Sequence, residues 1–120
     1  KVWAANGNGK DLTNYRIYGM SHAYAFVQAL QAAGKDVTRE SIVKVLEEKG
    51  STFEGPQLAP FRYSKDNHLG IGGVQVTQLK GGAGQELTKV LVTDLGDVPI
   101  TEDTSGAAED APPANGIPAN

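Results

Sequence analysis

The stretch GMSHAYAFVQALQAAGKDVTRESI, Gly19–Ile42, decides how the rest of the chain is read. From Met20 to Ala33 the residues Met20, Ala23, Tyr24, Val27 and Leu30 follow a helical spacing, while Phe26, Ala29 and Ala33 form a second stripe. A helix apolar over most of its circumference is one that is buried on two sides. Gly34 supplies the left-handed stop that ends it. Thr38 then sits where an N-cap belongs, its hydroxyl placed to accept from the amide of Glu40 or Ser41. A second helix follows, with a one-sided stripe of Ile42, Val43, Val45 and Leu46, an i,i+4 pair of Glu40 and Lys44, and Glu47 and Glu48 toward water. Gly50 is expected to close it.

Outward from this pair of helices the pattern changes. On the C-terminal side, Phe61 and Tyr63, Val74 and Val76, and Leu87, Val90 and Val92 lie in short runs bounded by Gly, Pro, Asp and Asn. Strands are expected near residues 59–64, 73–80 and 86–93, the last two joined as a hairpin through Gly81-Gly82-Ala83-Gly84. On the N-terminal side, residues 1–14 read as the end of a helix followed by a Gly- and Asn-rich loop. Tyr15-Arg16-Ile17-Tyr18-Gly19-Met20 reads as neither regular helix nor plain polar loop. Its two tyrosines are core plugs on one reading and a pocket wall on the other.

Composition sets the outer bounds. The 120 residues contain no cysteine, which removes disulfides, thiolate nucleophiles and Cys-ligated zinc. No apolar run approaches the roughly 18 residues needed to cross a bilayer, so the chain reads as soluble. The net charge of -3 is unevenly distributed. Residues 94–120 hold six acids, no Lys or Arg, and four of the six prolines, and are expected to be an acidic tail following a domain over residues 1–93. The remaining basic residues are dispersed rather than gathered on a stripe, so no nucleic-acid partner is expected.

Candidate chemistry is thin. His22 and His68 are the only two histidines and have no metal-ligand spacing, so no metal and no cofactor are expected. His22 reads as packing in the first turn of its helix, and His68 as ordering a turn. Ser21 beside His22, and Ser64, Asp66 and His68 within five residues, suggest a hydrolase triad, but neither set carries a nucleophile elbow. A turn in which Ser64 and Asp66 bond local amides is the simpler reading. The Gly-rich runs at 6–9, 69–73 and 81–84 lead into strand or coil rather than a helix N-terminus, which argues against a phosphate cradle. No enzymatic activity and no catalytic residue are expected.

One family accounts for the order of these segments. Gly19–Ile42 resembles the helix, A-L-x-A-A-G-K and T-R-E-S passage near the end of type I periplasmic solute-binding proteins, the branched-chain amino-acid and leucine-binding relatives that serve ABC transporters. Pro60-Phe61-Arg62-Tyr63-Ser64, Asp66-Asn67-His68-Leu69-Gly70 and Val74-Gln75-Val76-Thr77-Gln78 are similar to that family's closing strand, D-x-H-x-G turn and strand. The resemblance spans about residues 12–80 and implies an α/β chain that is the C-terminal portion of a two-lobed fold, two helices followed by about three strands, with a lobe crossing near 57–80. It implies a periplasmic or extracellular location, secretion or lipid anchoring being supplied by residues upstream. It also implies an amino acid or similar small organic acid as ligand, and as partners a transporter permease and the remainder of the chain's own two-lobed protein. The same fold serves as a ligand-sensing domain of receptors and regulators, which is the alternative. The family places a pocket-facing side chain at the start of the helix: Met20 matches that position best, and Tyr18 is the aromatic candidate. On its own the chain is expected to self-associate, since a helix with two apolar stripes lacks the sheet that would cover both.

Overall fold

The computed structural model describes residues 2–93 and 97–104. Their order is α1 (Val2–Asn6), α2 (Asn14–Ala33), α3 (Arg39–Lys49), a 3-10 turn at Gly50–Thr52, then the short strands β1 (Gly73–Val74), β2 (Thr77–Lys80), β3 (Ala83–Glu86), β4 (Leu91–Val92) and β5 (Thr101–Glu102). Helices are mixed with antiparallel strands, as the α/β reading expects at its coarsest level. Among the described residues no helix is long and apolar enough to cross a membrane.

Helix α2 begins at Asn14, with Thr13 in extended backbone as its N-cap, so the irregular segment expected at Tyr15–Met20 is helical. Gly19 costs roughly 1 kcal/mol relative to Ala in a helix interior, and the flanking turns carry it. The far end is as expected: Gly34 takes a positive φ of 74° and its N–H donates to the Leu30 and Gln31 carbonyls. Helix α3 starts in a reciprocal capping box, Ser41 N–H donating to Thr38 Oγ1 at 3.1 Å and Thr38 N–H to Ser41 Oγ at 2.9 Å. Gly50 does not stop α3 through a left-handed residue; its φ is -57° and the chain turns on into the 3-10 segment. Its glycine is required by proximity, because a Cβ there would sit 2.8 Å from Tyr63 Cβ. On the outer face of α3 the ion pair is Lys44 with Glu48 at 3.9 Å, in place of the expected Glu40–Lys44 pair.

The inward face of α2 is not either expected stripe. Ser21, Tyr24, Gln28 and Ala29 are buried, whereas Phe26 is 61% exposed. Gln28 explains the choice. Its Nε2 donates to the Glu54 carbonyl at 2.7 Å, and Glu54 N–H donates to its Oε1 at 3.0 Å, so one side chain pairs with the backbone of the segment after α3 as a neighbouring strand would. With Val45 and Ala59, Tyr24 and Ala29 form the buried apolar core among the described residues.

The expected strand at 59–64 is reduced to single bridges, Phe61 with Ile71 and Ser64 with Asn67. The expected strands at 73–80 and 86–93 are each divided. β2 and β3 form the Gly-turn hairpin, Lys80 facing Ala83 across Gly81 and Gly82, whose φ values of 61° and 81° match a type I′ turn. Below the hairpin the register slips by two residues: Thr77 faces Glu86, but Val74 faces Leu91. Leu87 and Thr88 both donate to the Val76 carbonyl, and Thr88 Oγ1 accepts from Val76 N–H at 3.0 Å. This bulge separates the exposed hairpin from the sheet β1-β4-β5. β5 lies in the segment read as tail: Thr101 pairs with Val92, Asp103 N–H donates to the Val90 carbonyl, and the Asp103 carboxylate lies 3.8 Å from Arg62. Pairing therefore continues past residue 93. The rest of the expected tail, 94–96 and 105–120, lies outside the described residues.

Candidate functional site

The loop from Pro60 to Ile71 doubles back on itself and, with α2, makes the chain's most site-like feature. Arg62 N–H donates to the Gly70 carbonyl at 2.6 Å, Ser64 N–H to the Asn67 carbonyl at 2.8 Å, and Leu69 N–H to Asn67 Oδ1 at 2.9 Å. The side-chain bond that orders the turn comes from Asn67, in place of the expected Ser64 and Asp66 bonds. The reversal brings His68 onto Tyr63, rings 5.0 Å apart and 14° from parallel. From the other side α3 supplies Glu47, whose Oε1 accepts from His68 Nε2 at 3.0 Å. Glu47 therefore faces His68 rather than open water.

Across from this pair, α2 presents a second one. Tyr18 and His22 are one helical turn apart, their rings 4.1 Å from each other, and His22 Nδ1 lies 2.8 Å from the Tyr18 carbonyl. Between the two pairs is a cleft of about 420 Å3, lined in addition by Phe53, Phe61 and Leu46. Among the described residues that line it there is no Asp, Glu, Lys or Arg. A wider, shallower depression of about 1050 Å3 lies on the other side of Tyr63 and His68, where Arg62, Asp66 and Glu47 make the wall charged.

Tyr18 lines the smaller cleft and is 63% exposed, while Met20 is half-buried and lines neither depression. Two residues along a helix are about 200° apart, so the pair cannot face one pocket. His22 stands in the middle of α2 rather than in its first turn. Ser21 is 1% exposed and its hydroxyl donates to the Ile17 carbonyl at 2.9 Å, which ties it into the helix. His68 is paired with Glu47, so the local Ser64, Asp66 and His68 set is not brought together as a triad. Among the described residues no three His, Cys, Asp or Glu side chains converge as a metal site would require. The sequence marks Phe61 and Tyr63 as strand residues only, and it singles out neither Phe53 nor the Glu47–His68 contact. The only hint was the D-x-H-x-G turn, which marks a reversal without saying what His68 meets.

Comparison with protein families, curated proteins and solved structures gives no match for this chain.

Proposed function

We propose that the chain is the C-terminal part of an extracytoplasmic solute-binding protein of the branched-chain amino-acid type, which captures an amino acid or similar small organic acid between two lobes and hands it to a permease. The observation that carries this reading is the cleft between α2 and the 60–71 loop. Its 420 Å3 volume falls within the range of small-molecule sites, and its wall is apolar and aromatic with a few polar groups. Tyr18, the aromatic candidate that the resemblance offers beside the better-matching Met20, lies on that wall, and Met20 does not. The uncovered apolar side chains fit the same reading. Tyr15 is 90% exposed and Phe26 61%, surfaces that the remainder of a two-lobed protein would cover and that favour self-association of the chain alone. On this reading the cleft's role is to bind its ligand.

The test is calorimetric titration of the longer protein carrying this sequence with leucine, phenylalanine and their relatives. One of them is expected to bind at micromolar concentration or below, and Tyr18→Ala to weaken it by about tenfold or more while Met20→Ala leaves it within about twofold, a difference on the order of one lost aromatic contact. No binding of any such ligand, or an unchanged affinity in Tyr18→Ala, sinks the assignment.

A further inference from the structure

The fold gathers the chain's only two histidines on one cleft, His68 stacked on Tyr63 and His22 tilted by 52° against Tyr18, each with one ring nitrogen already engaged. A carbonyl oxygen only accepts, so His22 Nδ1 carries the proton in its 2.8 Å contact with the Tyr18 carbonyl. The Glu47 carboxylate also only accepts, so His68 Nε2 carries the proton in its 3.0 Å contact. In the neutral rings the remaining nitrogens, Nε2 of His22 and Nδ1 of His68, are then acceptors. The cleft thus combines four aromatic rings (Tyr18, Phe53, Phe61 and Tyr63), two imidazole acceptors and, among the described residues of its lining, no Asp, Glu, Lys or Arg.

From this we infer that the cleft recognises an uncharged aromatic group bearing a hydrogen-bond donor, of the phenol or indole type, with the ring held among the aromatic side chains and the O–H or N–H donated to His22 or His68. This rests on the solute-binding reading only in taking the cleft as a ligand wall, and it assigns that wall the uncharged end of a ligand. A carboxylate would meet two acceptors and no cation. An ammonium group would leave water for a wall with no carboxylate on it, which is unfavourable. Apolar enclosure with a small number of fixed polar groups is how such sites achieve orientation.

The experiment follows the imidazole carbon-bound proton resonances of the 120-residue chain by NMR at pH 8, where two histidines give two sets of signals. The probes are phenol, anisole, benzoate and benzylammonium. Phenol is expected to shift both sets and to saturate with a dissociation constant on the order of 1 mM, about fivefold tighter than anisole, which has the ring without the donor. Benzoate and benzylammonium are expected to bind more weakly than either. In His22→Phe/His68→Phe, which keeps a ring beside each tyrosine, phenol should fall to the affinity of anisole, read from the aromatic side-chain signals. Retained anisole binding reports that the cleft is still formed. Equal binding of phenol and anisole by the unaltered chain, tighter binding of benzoate, or a phenol preference that survives the double substitution would each overturn the inference. So would the absence of any probe binding. If the longer protein binds an amino acid while the phenol preference is missing, this inference fails and the solute-binding reading stands. The converse result removes the solute-binding reading and leaves this one.

Discussion

Replacing Gln28 with methionine tests what holds the cleft together. The substitution keeps side-chain length and approximate volume but removes both ends of the bridge from α2 to Glu54, at 2.7 and 3.0 Å. The Tyr24 carbonyl, which Gln28 Nε2 also reaches at 3.1 Å, keeps its helical partner and loses little. The change therefore strips two hydrogen bonds, each worth about 0.5–1.5 kcal/mol net, for a loss of about 1–3 kcal/mol. Glu54 lies at the surface, so water takes up part of its freed backbone, and a value near 2 kcal/mol is expected. For a domain of this size that lowers the melting temperature by about 10 °C. Thermal and urea unfolding by circular dichroism would read it, with the urea m-value unchanged because the folded state buries the same surface. Hydrogen exchange adds a local measure, since the Glu54 amide should lose protection before its neighbours in α3 do. A midpoint within about 2 °C of the parent, or an equally protected Glu54 amide, would refute the view that Gln28 selects the inward face of α2.

Gly50→Ala gains helix propensity in right-handed backbone but places a methyl group 2.8 Å from Tyr63 Cβ, which sits next to rigid backbone; a net loss of about 1–2 kcal/mol is expected in urea unfolding, with weaker stacking of Tyr63 on His68 seen as a shift of the histidine resonances. Tyr24→Phe removes a buried hydroxyl without a hydrogen-bond partner and should leave stability at pH 7 unchanged or raised by about 1 kcal/mol. Burial raises the Tyr24 phenol above 10.0, so the unfolded chain releases that proton first; this group's contribution is complete below pH 10.0 and is lost as pH rises through the folded value, and a pH series of unfolding midpoints should lose that alkaline decline in Tyr24→Phe. Arg62→Met removes the guanidinium 3.8 Å from the largely buried Asp103 carboxylate, and the Asp103 amide, bonded to the Val90 carbonyl at 2.7 Å, should exchange about tenfold faster while the β2–β3 hairpin amides are unaffected.

The legible parts of the fold were those whose physics is local. Thr38 and Ser41 lie within one turn, so the cap of α3 could be placed from the sequence, although the reciprocal bond from Thr38 N–H to Ser41 Oγ was not foreseen. Gly81 and Gly82 place the hairpin for the same reason: both adopt positive φ, which neighbouring residue types would resist. The segment Tyr15–Met20 reads as neither regular helix nor loop, yet it forms the first turns of α2, which carry the penalty of about 1 kcal/mol at Gly19. The strand near 59–64 was inferred from Phe61 and Tyr63, but these alternate in a loop that pairs with itself at one point and with Ile71 at another.

By itself the sequence determined two helices, their stop at Gly34 and restart at Thr38, a Gly-Gly hairpin, and the absence of cysteine chemistry. Each depends on contacts within a few residues or on composition. Tertiary structure alone decided that Gln28 faces inward while Phe26 faces out, that Glu47 reaches His68 across 21 residues, that β5 adds to β4, and that His22 and His68 share a cleft. The physical reason is that α2 carries apolar residues on most of its circumference, so hydrophobicity leaves its orientation nearly degenerate. The choice falls to hydrogen bonds with a segment 26 residues away, whose position no local preference encodes.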